Sequence, residues 1–551
     1  MDEAVPAGDA VAAGQDALAR AAWEEARACF ESVLAREEHP EALEGVSWTH
    51  WWRADLDACL ATRERAYRAY RANGRARGAA RMALWIADDH LWFRGARAVA
   101  DGWFARARRI LGELDQCPEH GWLAVFEAHV AAADGDLASA GDRAREAQRV
   151  GRALESTDLE MFALATEGTV RLEQGEVDEG LRCLDEAAAA ALAGEFEQLA
   201  PAAWTCCLML SACEDVRDDV RGAQWSREVV EFGRRLGGGF VLGNCRSHHG
   251  GVLMRCGLWD DAERELDVAV RELPRGPAAW RRDALARLGE LRRRQGRDDE
   301  AVHAFEQAGE HPLALAGLAA LRLDGGDAAG AAELAERVLR RTPTRSPRAA
   351  DALEIAVRSH LARGETEAAA AYVAQLHEVA EEVATDTLRA SARLADARLA
   401  AARGRAEDAI GCYSEAVAAF EDAGAPLEAA QSRLELAEAL AAGSGAVLAE
   451  VEARRAHATL ADLGAAAEAA RAAALARALS GGHPTSEAHP LTPRQLTVLR
   501  LAAEGLTEQE IAARLVLSEH TVHRHLANIY ARLECSSRAA AIAQASRRGL
   551  L

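Results

Sequence analysis

At 551 residues the chain is too long for one ordinary core, so several domains or an extended repeat array are expected. Half of the residues are hydrophobic, yet no run of about 18 is free of charges and glycines, and the N-terminal MDEAVPAGDAVAAGQD shows no basic region ahead of an apolar one, so neither a membrane span nor an export signal is read. The net charge of −22 argues against nucleic-acid binding by the chain as a whole, and since all 65 basic residues are arginine, a GxxxxGK[ST] phosphate loop is excluded.

The 11 cysteines are scattered without a CxxC pair, which argues against a disulfide framework or a zinc ribbon and favours a reducing cytoplasm. Helix formers fill the sequence and β-branched runs are scarce, so the expected fold class is all-α. After an N-terminal tail over residues 1–14, a helical repeat domain is expected over 15–478. Its register shows in the loop glycines Gly135, Gly175, Gly257, Gly296, Gly326, Gly364 and Gly404. Five positions after each stands a small residue (Ala140, Gly180, Ala262, Ala301, Ala331, Ala369, Ala409). Nine positions after come Ala144, Leu184, Leu266, Phe305, Ala335, Val373 and Tyr413. Residues four apart share a helix face, so each unit sets a small residue where two helices touch and, in most copies, a larger plug one turn on. The interval between Gly175 and Gly257 is about two periods, with Ala223 where a further copy could place its small residue, and Ala26 and Phe30 repeat the pattern after Trp23.

This arrangement resembles the second-helix half of tetratricopeptide repeats, in units mostly longer than that family's. The resemblance implies about ten helix pairs stacked as a superhelical solenoid, with an inner groove that takes a peptide, a protein or a small effector. Eight of the 12 tryptophans lie between Trp23 and Trp122; they are read as plugs between stacked helices in preference to a ligand pocket. The segment Cys245-x-x-His248-His249-x6-Cys256 would fall on the first helix of a pair and point to different faces, so no metal site is read there.

Residues 479–490, with SGGHPTSEAHP, break the helical pattern and are expected to be a flexible linker. Beyond it the punctuation sharpens over residues 491–551. Thr492 with Gln495 reads as a capping box opening a helix through Val498, Leu499, Leu501 and Ala502, and Thr507 with Glu510 as a second, opening a helix through Ile511, Ala512 and Leu515. A turn at Val516 and Leu517 leads to Ser518, the N-cap of a third helix that buries Val522, Leu526, Ile529 and Leu533 and turns His520, His523, Arg524, Ala527, Asn528 and Ala531 outward. Two short helices joined by a tight turn, the second with a polar outer face, meet the geometry of a helix-turn-helix that enters a major groove. Charge agrees: eight arginines against five glutamates give residues 491–551 a charge of +3, which leaves −25 for the rest.

LTPR, AAEGLT, EIAARL, the S-x-x-TV-x-x-H run and N-I-Y-A-R-L follow in register, and over about sixty residues the sequence closely resembles the LuxR-type DNA-binding domain. The resemblance implies that a fourth helix, Ser537 to Arg548, supports dimerisation. It places His523, Arg524 and Ala527 near bases and Thr521 and Asn528 near the backbone. Together with Ser518, Val522, Arg532 and Arg538 these are the candidate DNA-binding residues. Departures from the family pattern are His523 in place of lysine, Glu508 of asparagine, Gln495 of glutamate and Glu534 of glycine; the mostly neutral imidazole and an added carboxylate remove positive charge, so the expected DNA affinity is modest and depends on dimerisation. Relatives often carry an ATP-binding domain ahead of the repeats, and none is read here.

The expected function is a cytoplasmic, nucleoid-associated, sequence-specific transcription regulator that binds double-stranded DNA as a homodimer, contacts RNA polymerase and senses an effector or partner through its array. The alternative is a repeat scaffold whose helix-turn-helix no longer binds DNA. No catalytic constellation is found, so the chain is not expected to be an enzyme, and neither cofactor nor metal nor membrane contact is expected.

Overall fold

Helix-forming residues broken at regular intervals by glycine and proline dictate short helices and tight turns. The computed structural model describes residues 6–235, 240–273, 278–343, 345–443, 445–480, 493–503, 506–515, 522, 526, 529–530, 533, 535 and 538–547, and among these the regular elements are helices, with no strand. They follow as α1 (Ala7–Ala19), α2 (Trp23–Leu34), α3 (Pro40–Trp52), α4 (Leu56–Ala72), α5 (Ala76–Trp92), α6 (Arg97–Leu111), α7 (Pro118–Ala133), α8 (Leu137–Ala153), α9 (Thr157–Glu173), α10 (Val177–Ala193), α11 (Leu199–Asp215), α12 (Asp219–Arg235) and α13 (Phe240–Arg255). Then come α14 (Trp259–Glu272), α15 (Ala278–Arg294), α16 (Asp298–Ala308), α17 (Pro312–Asp324), α18 (Ala328–Leu339), α19 (Ala350–Ala362), α20 (Thr366–Val383), α21 (Asp386–Ala402), α22 (Ala406–Asp422), α23 (Pro426–Ala442), α24 (Ala446–Leu463) and α25 (Ala466–Ser480). Among the described residues no helix is long and apolar enough to cross a membrane.

Each odd-numbered helix up to α23 packs on the even-numbered one after it, which makes twelve pairs rather than about ten, and α25 packs on α24 at the end of the series. The first pair begins at Ala7, so part of the stretch read as a tail is helical. From α5 to α21 successive odd-numbered helices also touch one another, as do α23 and α25, and the odd-numbered helices form the inner layer of the solenoid.

The repeat signature does what its spacing requires. From α1 to α22, the chain passes between the helices of each pair through a residue in the left-handed region, and glycine meets that need without a side-chain clash at Gly175 (φ 87°) and its counterparts. The missing copy between Gly175 and Gly257 is α11 and α12, whose left-handed residue is Arg217 (φ 56°); Ala21 and Ala54 fill the same place in the first two pairs. The small residues Ala140, Ala262, Ala301, Ala331 and Ala369 have no exposed surface, and the plugs Leu184, Leu266 and Phe305 are equally enclosed. The structure adds where each plug goes: the Phe305 ring of α16 lies against Gly289 of α15 and Gly317 of α17, and a Cβ placed on Gly289 would come within 2.7 Å of that ring. Phe30 sits likewise between Gly14 and Gly45. Side-chain caps at Asp55, Asp136 and Asp327 start α4, α8 and α18, accepting from amides three residues on.

The inner layer also holds one bond that the scattered cysteines did not announce. Cys207 of α11 and Cys245 of α13 are joined by a disulfide, with Cα atoms 5.2 Å apart. Their separation of 38 residues is close to one repeat, which brings two inner-layer positions side by side on neighbouring pairs. No CxxC motif announces such a bond; only the repeat register does.

The solenoid winds tightly enough for distant repeats to meet. Trp51 lies 6.4 Å from Trp204 and Phe93 lies 6.3 Å from Trp280, ring centroid to ring centroid. Arg294 of α15 donates to Glu428 of α23 at 3.0 Å, and Thr385 donates its hydroxyl to the Val216 carbonyl at 2.8 Å.

Candidate nucleic-acid interface and array cavity

The C-terminal segment builds its own small core. Helices α26 (Pro493–Ala503), α27 (Glu508–Leu515) and, after it among the described residues, α28 (Arg538–Arg547) enclose Val498, Leu499, Ile511, Val522, Leu526, Ile529, Leu533, Ala541 and Ala545. The stripe of spacing 4, 3 and 4 at Val522, Leu526, Ile529 and Leu533 is buried as its period demands. The second capping box forms: the Thr507 amide donates to Glu510 Oε2 at 2.7 Å, and the Glu510 amide donates back to Thr507 Oγ1 at 3.3 Å. Those bonds hold the Glu510 carboxyl below its ordinary range. Thr492, the cap of the first box, lies outside the described residues, while its partner Gln495 is buried with 5% exposure. A neutral amide there avoids the cost of burying a carboxylate, which gives the departure from glutamate a physical basis.

Of the candidate DNA-binding residues, Ser518, Thr521, His523, Arg524, Ala527, Asn528 and Arg532 lie outside the described residues. Two can be placed, Val522 in the core and Arg538 against the carbonyl end of α26. Val522 has no exposed surface, so its side chain holds the helix to the core and does not meet a base edge. Arg538 is partly buried, and its Nη2 donates to the Ala502 carbonyl at 2.7 Å and to the Leu506 carbonyl. It anchors the start of α28 to the carbonyl end of α26, where a cation also meets the negative end of the helix dipole.

The inner layer of the array encloses a cavity of about 1460 Å³. Its walls follow from the helical period: Phe162 and Glu173 on α9, Trp204 and Asp215 on α11, and Trp280 and Arg294 on α15 each set an aromatic near one end of a helix face and a charge near the other. The rings touch in sequence, Phe162 to Trp204 at 6.4 Å and Trp204 to Trp280 at 5.8 Å. Beside them His129 is driven down to about 4 by burial and is neutral at physiological pH. Trp48, Trp51, Trp52 and Trp122 are buried plugs, as expected, whereas Trp92, with 40% exposure, faces the cavity.

The charged part of the wall is organised in pairs. Arg287 donates to both carboxylate oxygens of Glu214, at 2.8 and 2.7 Å, and His248 Nδ1 stands 2.8 Å from the same carboxylate. Burial alone would raise Glu214, but Arg287 and His248 outweigh it and hold that carboxyl well below its usual range. Glu290 is similarly brought to about 2 by Arg293 and Arg294 against the effect of burial. The Cys245, His248, His249 and Cys256 segment thus separates as its helical phase requires: Cys245 bonds to Cys207, His248 meets Glu214, His249 is buried, and Cys256 follows the end of α13.

Residues 489–545 match the family model of bacterial regulatory proteins, luxR family. Over 59 residues the chain is 46% identical to a protein of Mycobacterium bovis described as an HTH-type transcriptional regulator, covering 11% of this chain and 7% of that one. It is 37% identical over 67 residues to the HTH-type transcriptional regulator AlkS of Alcanivorax borkumensis (12% and 8%), and 40% identical over 75 residues to the quorum sensing-dependent transcriptional regulator RpaR of Rhodopseudomonas palustris (14% and 30%). The chain therefore spans less than a tenth of the length of the first of these relatives. Among solved structures, the apo quorum sensor NprR from B. thuringiensis aligns with TM-score 0.35 and 13% identity over 69% of this chain and 97% of that one. The Rap protein complexed with competence and sporulation factor aligns with TM-score 0.38 and 14% identity over 70% and 98%. These likenesses are distant, and the repeat architecture rests on the helix pairs themselves.

Proposed function

We infer that the protein is a DNA-binding transcription regulator whose C-terminal LuxR-type domain binds an operator as a dimer and whose array senses an effector or protein partner. The observation that carries the first half is the luxR-family match at 489–545 on a segment with a complete core of its own. The cavity with its aromatic and ionic walls supports the second half. Within the C-terminal domain, Arg524 reads a base, His523 and Ala527 lie beside it, and Ser518, Thr521, Asn528 and Arg532 hold the phosphate backbone. The expected linker over 479–490 loses its first two residues to α25, and residues 481–490 would let two such domains meet a palindromic site.

Genomic occupancy mapping of the tagged protein, followed by fluorescence anisotropy on the recovered sequences at several salt concentrations, tests this. A specific site bound with affinity that falls as salt rises is expected. Absence of any enriched site, with equal affinity for all duplexes, would leave the protein a repeat scaffold.

A further inference from the structure

Between α11 and α12 the chain needs a left-handed residue, and from α5 to α22 every other pair places a glycine at that turn. Here it is Arg217 (φ 56°), a long charged side chain in a backbone conformation that disfavours side chains. The side chain does not point to solvent. Its Nη2 donates to Asp351 at 2.8 Å, and its Nη1 donates to Glu354 at 2.8 Å and to Ser391 at 3.3 Å. Only 13% of the side chain is exposed, and the two carboxylates lie 134 and 137 residues further along, on α19.

The residues flanking Arg217 make the same crossing. Asp215 accepts from Arg348 at 2.6 Å, and the Val216 carbonyl accepts from Thr385 at 2.8 Å. Three consecutive residues of one turn are thus stitched to repeats four and five pairs away. Asp215, Val216, Arg217, Arg348, Asp351 and Glu354 all line the cavity, so this seam is part of its wall.

We propose that the Arg217 turn is a latch: it holds two distant arcs of the solenoid together across the cavity, and its release opens the array and changes the DNA binding of the attached domain. This rests on the reading of the protein as a DNA-binding regulator, and it adds the element through which cavity occupancy reaches the array's shape. Asp351 and Glu354 remain partly exposed, at 53% and 27%, so a charged group entering the cavity can compete for either side of the latch. An ionic seam across a two-state element is a physical means of coupling the two sites.

The full-length protein with Arg217→Gly, Arg217→Ala and Arg217→Lys provides the test, read by small-angle scattering, by amide exchange of residues 385–391 and by operator affinity. Arg217→Gly is the informative variant, because glycine suits the left-handed turn and keeps the local fold while removing the guanidinium. With Gly or Ala we expect a larger radius of gyration, amide exchange faster by about tenfold or more across the seam, and a shifted operator affinity, with Lys restoring part of each. If Arg217→Gly leaves scattering and exchange unchanged, the turn is local structure only and the latch is wrong. If the array opens but operator affinity does not move, the regulatory coupling is wrong. Failure of the wild-type protein to bind any operator would instead count against the proposed function, and the scattering and exchange arms stand apart from it.

Discussion

A guanidinium on the groove-facing turn of a recognition helix is worth more than its charge, because its paired N–H groups match the acceptors of a guanine edge. On the function proposed above, Arg524 is the residue assigned to that position from the sequence. Arg524→Ala is expected to cost about 1–3 kcal/mol of operator binding and to relax specificity at one base pair, measured by anisotropy against a panel of single-site variants. A uniform loss across the panel would make it a phosphate contact. Inside the array a different residue carries a pH dependence. Burial and neighbouring Asp89 push Asp88 of α5 up to about 8. Its folded value is above the unfolded one, so the folded state holds the extra proton between roughly pH 4 and 8 and stability falls as pH rises through that window. Asp88→Asn should remove this residue's share of the slope and raise the melting temperature at pH 8 more than at pH 5; parallel profiles for mutant and wild type would refute it. None of this was legible in the sequence, where Asp88 is one acid among 87 and only its contacts make it unusual.

The helix pair is the unit the sequence revealed best, because its requirements are local: a left-handed turn, a small residue where two helices touch and a plug one turn later. Where the turn residue is not glycine, at Ala21, Ala54 and Arg217, no glycine marks the turn, although Ala26 and Phe30 still repeat the pattern after Trp23 and Ala223 holds a place for the copy before Gly257. What each plug fills also lay beyond local reading, since the glycines that receive Phe305 sit on two other helices. That fit makes a prediction for the element. Phe305→Ala removes a fully buried ring from a slot its neighbours shaped for it, and should cost about 3–5 kcal/mol, seen as a lowered denaturant midpoint. Gly317→Ala should also destabilise, because the ring already occupies the space its methyl would need. A stable double variant, Phe305→Leu with Gly317→Ala, would show the slot to be complementary in volume; no recovery would place the cost elsewhere. The same logic of position explains the disulfide, which joins two cysteines about one repeat apart and was invisible until the register was fixed.

At the scale of the molecule, charge and geometry oppose each other. Residues 491–551 carry +3 and the remainder −25, and the ten residues 481–490 that follow α25 would span roughly 17 Å as a flexible chain. That is about two Debye lengths at physiological salt, close enough for the array both to repel DNA and to compete for the arginine face. Among the described residues α26, α27 and α28 share one core. Removing residues 1–478 should therefore speed association with the operator, and the gain should shrink as salt is raised, since the penalty removed is electrostatic and acts before contact. Dissociation should change less, apart from the loss of any dimer contacts made by the array. Stopped-flow association of truncated and full-length proteins at matched low salt, with dimerisation supplied to both by a neutral fusion, isolates the effect. Equal or slower association by the truncated form would show that the array does not restrain the domain, whatever its seam does to its own shape.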